Sequence, residues 1–308
     1  MRKLIVFIFF FAFVQVSFAQ NHILYLGAVA HLGNGLKIEN AAIGVKNGKF
    51  SLVADANSIS INPTSYDTII KLVGKHIYPA FIVPNTTLGI TEIGQVRATH
   101  DFKEVGSLNP NIRTLIAYNT DSKISKTVRT NGVLLAQVTP RGGTISGQSS
   151  VMHLDGWNWE DAVLRADDGL HLNWPNSDYY TGRWAEPEKN KKYKKYNNRV
   201  SEIKSFFTKS EAYAKSSNIM DLRMESMKGL FNGTKTLYIH ADYAKDMRKA
   251  IQMASSLNIK KIVIVGAEDA LKIVDLLKEK NISLILNRIH RLPDSQDSPI
   301  DGPFTQAK

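Results

Sequence analysis

The chain has 308 residues, 43% of them hydrophobic and 22% charged, with a formal net charge of +11 and no cysteine. That composition is ordinary for a globular protein, and the length allows one large domain with a small companion. The lack of cysteine excludes both a disulfide framework and a thiolate metal site.

At the start, Arg2 and Lys3 precede the apolar run Leu4 to Val14, and Ser17-Phe18-Ala19 forms a small-x-small site before Gln20. Residues 1–19 therefore read as a secretory signal peptide, which predicts a periplasmic or secreted protein. The apolar core is short for a membrane span, so no stable membrane insertion is expected. From His22 the pattern is a series of short strands: His22 to Leu26, Ala41 to Val45 and Phe50 to Val53. Gly33-Asn34-Gly35 and Asn47-Gly48 supply the turns between them. The apolar run Ile77 to Val83, interrupted by Pro79, then leads into Asn85-Thr86-Thr87. A buried strand has this form when its C-terminal end delivers side chains to a site.

A polar stretch follows, ending in a helix over Asp121 to Thr130 with Ser122 or Ser125 as cap. Val133 to Val138 is a strand that ends at Pro140. The glycine-rich loop Arg141 to Gln148 has the spacing of neither a dinucleotide fingerprint nor a P-loop, so a structural loop is favoured over an anion site. Ser149 to Leu154 is another strand. Trp157 to Asn198 is the least regular region; its aromatic residues either line a cleft or cover the fold. The basic run Lys189 to Lys195 reads as a solvated helix start or exposed insertion, and no nucleic-acid module accompanies it.

Two helices come next. One carries Ile203, Phe206, Phe207, Ser210 and Tyr213 on one face; the other spans Leu222 to Leu230. From Lys235 the pattern alternates: strand Thr236 to His240, helix Tyr243 to Leu257, strand Lys261 to Val265, helix Ala267 to Lys280, strand Ile282 to Leu286. Two successive βαβ units imply an α/β protein with a parallel sheet, either a barrel or an open doubly wound sheet.

Gly74 to Gly89 resembles the first barrel strand of the amidohydrolase superfamily, whose signature is roughly Pro-Gly-Phe-Ile-Asp-x-His-x-His-Leu-Gly. Pro79, Phe81, Ile82, Leu88 and Gly89 match it, and Asn85 and Thr87 stand where that family has its two metal-binding histidines. The run Thr87 to Thr99, with Asn109-Pro110 and Gly142-Gly143 behind it, is similar to the imidazolonepropionase-like branch. Asp221 to Leu286 matches the same branch at a second place, with His240 at the fifth-strand metal histidine. The resemblance implies an incomplete TIM-like (β/α) barrel over 76–308, preceded by the N-terminal part of a small β-sandwich over 20–75. The family's last-strand aspartate falls beyond residue 308, so a truncated piece of a longer protein is expected.

For chemistry, the resemblance implies a hydrolase of non-peptide C–N bonds that uses zinc or a similar divalent metal. Residue by residue, Gly266 replaces the sixth-strand histidine, and His171 falls near the fourth-strand lysine or carboxylate. His240 and His171 are thus the candidate metal ligands, with Asp242 or His290 as a third. Asn85, Thr87 and Gly266 are vacated positions. A catalytic zinc usually takes three protein ligands, so loss of the metal and of the activity is expected. The alternative is a non-catalytic exported binding protein on the same barrel. Its expected partner is a small-molecule substrate or ligand, not nucleic acid, and an oligomer is compatible with the sequence.

Overall fold

The computed structural model describes residues 22–177, 189–216 and 219–288, without the side chains of 189–193. Residues 1–19, read above as a signal peptide, and His290 lie outside the described residues. The chain divides into two compact units, Met1–Ala80 and Phe81–Lys308.

The first unit is built on a five-stranded sheet around β1 (His22–His31). β2 (Lys37–Lys46) pairs antiparallel with β1 and turns into β3 (Lys49–Asp55). The turn uses Asn47 and Gly48 at φ +52° and +73°, the paired positive angles that a tight hairpin requires. β4 (Thr68–Lys71) and β5 (His76–Ile77) pair with β1 in parallel. Ala30, Ala41 and Ile43 form its small core, with Tyr25, Val45 and Ile77 packed on them.

The apolar run Ile77 to Val83 is therefore not one strand. Pro79 has no N–H to give a ladder and falls between β5 and β6 (Phe81–Thr86). β5 belongs to the first unit and β6 opens the second, so the division lies at Ala80 rather than at residue 75.

The second unit holds a mixed, barrel-like sheet of seven strands in sequence order. After β6 come β7 (Val133–Val138), β8 (Ile145–His153), β9 (Val163–Asn173), β10 (Thr236–Ala241), β11 (Ile262–Gly266) and β12 (Ser283–Leu286). β6 and β7 are parallel, as are β9 through β12, whereas β8 runs antiparallel to both neighbours. Only six residues separate β7 from β8. A parallel crossover needs a dozen or more, so this link can only reverse the chain.

β9 lies inside the region read as irregular. Its first half, with Arg165, Asp167 and Asp168, hides the buried Leu170 and Leu172 that follow. Six helices accompany the sheet among the described residues: α1 (Lys123–Thr130), α2 (Trp159–Ala162), α3 (Lys189–Ser216), α4 (Leu222–Phe231), α5 (Ala244–Ser256) and α6 (Val274–Glu279). The basic run opens α3, where Lys194 and Lys195 are exposed while Tyr196 is buried and donates to Asp246 Oδ1 at 2.8 Å. α6 is shorter than the helix expected from Ala267. The N–H groups of Ala267 and Asp269 bond to Ala241 and Asp242 at the end of β10 instead of starting a helix, and a 3-10 turn, Ala270–Ile273, precedes α6. None of the described helices is long and apolar enough to cross a membrane.

One core joins strands to helices. Leu170, Leu172, Leu237, Ile239 and Ile264 pack with Ile203, Phe207, Met227, Leu230, Met247 and Ile251. Strand side chains alternate between faces, so burying Leu237 and Ile239 against helices turns Tyr238 and His240 to the other face of the sheet. Helix ends are secured locally. Asp221 caps α4 by accepting from the backbone N–H of Arg223 at 2.9 Å and of Met224 at 3.4 Å. Asp221→Ala should lower stability by about 1 kcal/mol, read as a shift in urea midpoint at unchanged slope.

Candidate functional site

The site is built from the C-terminal ends of the parallel strands, beginning with an irregularity in β6. Val83 pairs with Ala136 and Thr86 with Val138, so β6 carries one residue more than β7 between these points. The bulge centres on Asn85 at φ +49°, a left-handed conformation that asparagine tolerates better than most residues. Side chains satisfy its backbone. Gln137 Oε1 accepts from the Asn85 N–H at 3.1 Å, and Arg141 Nη2 donates to the Asn85 carbonyl at 2.7 Å. Arg141 Nη1 also donates to Asn85 Oδ1 at 2.6 Å. An ordered asparagine–arginine pair thus stands at the end of β6.

β9 and β10 supply two histidines. His171 is fully buried, and its Nδ1 lies 2.9 Å from Nε2 of the half-buried His240. The His171 ring stacks on Tyr238, with centroids 4.7 Å apart and planes 5° from parallel. The Tyr238 hydroxyl donates to Asp168 Oδ2 at 2.7 Å, and Gln137 Nε2 donates to the same oxygen at 3.1 Å. Gln137 therefore ties the Asn85 bulge to the histidine wall.

The surroundings hold both imidazoles neutral. Burial pushes His240 down to about 4, with the Arg141 cation adding to the shift. His171 is pushed well below its ordinary value, first by burial and then by the neighbouring His240 and the Arg141 cation. Burial also lowers Arg141 itself. The Tyr238 hydroxyl is pushed up, by burial and by its bond to Asp168.

The remaining sequence candidates fall into a separate cluster or stay uncommitted. Gly266 ends β11 at φ +100°, and a Cβ there would lie 2.3 Å from Asp242 Oδ1. A histidine at 266 would be strained at this φ and would need the Asp242 side chain to shift. Asp242 Oδ1 accepts from Asn287 Nδ2 at 3.2 Å. Thr87 is half-buried just past β6, with its carbonyl accepting from Ile90 N–H.

The donor chemistry does not suit a divalent metal. Among the described residues no group of three or more His, Asp or Glu side chains could hold one. The two histidines do come together, but His171 Nδ1 and His240 Nε2 are committed to each other. Nε2 of His171 is sealed and has no partner among the described residues. A fixed guanidinium beside both rings repels a second cation. No chemical step is therefore derived through a metal.

The supporting residues Gln137, Asp168 and Tyr238 carried no motif. The signal for Tyr238 was the alternation in Leu237-Tyr238-Ile239-His240, which puts it on the same face as His240. Size of hollow would have misled. A groove lined by Lys194, Lys195 and Arg199 presents exposed charged and polar side chains, and one lined by Asn258, Lys260 and Lys280 adds only Ile259, Ile262 and Ile282.

No protein-family model matches the chain, and no curated protein matches it. Among solved structures, a crystal structure of an amidohydrolase from Thermotoga maritima MSB8 matches with a TM-score of 0.75 at 20% sequence identity. The match covers 91% of this chain and 73% of that one. The likeness is one of fold: this chain has the fold of that amidohydrolase.

Proposed function

We propose that this protein is an exported binding protein for a small polar molecule. In this reading it is built on an amidohydrolase barrel of the imidazolonepropionase-like kind and does not carry out metal-dependent hydrolysis. The observation that carries the reading is the Asn85–Arg141 pair. It puts a fixed positive charge at the first-strand ligand position, beside two neutral histidines bonded to each other. A catalytic zinc needs about three protein donors and an open position, and this arrangement opposes both. Arg2, Lys3, the apolar run after them and Ser17-Phe18-Ala19 support export.

Purified protein incubated with zinc or manganese and then desalted should retain metal only far below stoichiometry by elemental analysis. Stoichiometric metal that is lost in His240→Ala would restore the hydrolase reading.

A further inference from the structure

Arg141 is a cation without a counter-charge among the described residues. Its guanidinium is half-buried, and its partners among the described residues are two uncharged oxygens of Asn85. A guanidinium has five N–H donors. Asn85 takes one from each Nη, leaving three, among them the Nε–H edge. The other arginines of this region are neutralised: Arg113 Nε reaches both Asp167 oxygens at 2.9 Å, and Arg165 Nε lies 3.0 Å from Asp168 Oδ1. Proteins seldom withdraw a charge from water without an opposite charge.

No carboxylate among the described residues acts on Arg141. His171 and His240 are neutral. The Arg141 N–H donates to the Phe102 carbonyl at 2.7 Å, which brings the next residue, Lys103, to the same loop. A Cβ at Gly142 would lie 2.8 Å from Lys103 Cγ, so the lysine stem runs along that glycine. Lys103 is exposed and has no ion pair among the described residues. Lys103, flanked in the chain by Asp101 and Glu104, thus brings a second cation to the loop that Arg141 opens.

We propose that this site takes a small molecule bearing a carboxylate, seated against the Nε edge of Arg141, with Lys103 attracting it from the loop. A guanidinium edge offers two parallel donors, the number a carboxylate accepts. A phosphate dianion would leave further oxygens unmatched beside buried neutral imidazoles. The inference deepens the binding-protein reading by naming the ligand chemistry, and it invokes no turnover.

The test is calorimetry on the full mature chain at fixed ionic strength, with sodium succinate, its neutral counterpart succinamide, and inorganic phosphate. Succinate should bind about tenfold or more tighter than succinamide, as expected for a charge-assisted bond. Arg141→Met should lose that preference. Arg141→Lys, which keeps the charge without the fork, should weaken binding by about tenfold. Circular dichroism checks that these variants fold; should they not, Lys103→Gln, at an exposed position, should still weaken succinate severalfold. Phosphate binding tighter than succinate, equal succinate affinity in folded Arg141→Met, or no heat with any of the three probes would overturn the proposal. Stoichiometric metal in a protein that binds succinate through Arg141 would sink the non-hydrolytic reading alone. Metal-poor protein that ignores succinate would sink this inference alone.

Discussion

Acidification from pH 6.5 to 4 should remove up to about 3 kcal/mol of folding stability through His240. An unfolded histidine titrates near 6.5, whereas His240 in the fold is pushed down to about 4 by burial and by Arg141. Between those values the unfolded chain binds a proton that the folded chain refuses, so acid favours unfolding. The loss begins as pH falls below 6.5 and is complete below 4; above 6.5 it is absent. At about 1.4 kcal/mol per unit, the interval gives the figure above. His171 acts in the same direction. Urea unfolding at pH 7.5 and 4.5 reads the difference, and comparison with His240→Asn removes the share due to carboxylates. The variant should lose less stability over that interval than the parent. In Arg141→Met both imidazoles should titrate higher, because one cause of their depression is gone, and the parent's acid loss should shrink. Identical profiles in the parent and His240→Asn would show that His240 is not held neutral.

The order of elements was legible because strand and helix periods are clean wherever one face is apolar. Leu237 and Ile239 alternate with Tyr238 and His240, and Met247, Ala250, Ile251 and Ala254 recur at helical spacing. β9 was hidden because Asp167 and Asp168 break its apolar pattern, although both are satisfied, by Arg113 and by Tyr238 with Arg165. The antiparallel course of β8 lay in a loop length, which period alone does not reveal. His171 and His240 were recognisable as candidates, but the bond between them is a property of strand register: Tyr238 pairs with His171, and His240 with Asn173. Asn85 looked like a lost ligand. Its role depends on a bulge and on Gln137 and Arg141, both more than fifty residues away along the chain. No local pattern encodes such a partnership.

Asp168→Ala should cost about 3–5 kcal/mol, the range for stripping one partner from a buried charged network. Asp168 is 7% exposed. Its Oδ2 takes the Tyr238 hydroxyl at 2.7 Å and Gln137 Nε2 at 3.1 Å, while Oδ1 takes Arg165 Nε at 3.0 Å. The Arg165 bond contributes little, because that side chain is more than half exposed and water replaces the lost oxygen. The buried hydroxyl and amide have no such substitute, and each unsatisfied group costs about 1–3 kcal/mol. Asp168→Asn keeps an acceptor for Tyr238 and should therefore cost clearly less than alanine. Tyr238→Phe removes one donor and its bond together and should cost about 1 kcal/mol. The consequence reaches the site from two directions. Tyr238 is the surface on which His171 stacks, and Gln137 holds the N–H of Asn85, so Asp168 anchors the supports of both the histidine pair and the Asn85 bulge. In folded Asp168→Ala, succinate affinity should fall and the imidazole resonances of His171 and His240 should shift, whereas Asp221→Ala, far down the chain on α4, should leave both unchanged. An alanine variant that keeps parental stability and imidazole shifts would mean that the network is ornamental and the site stands without it.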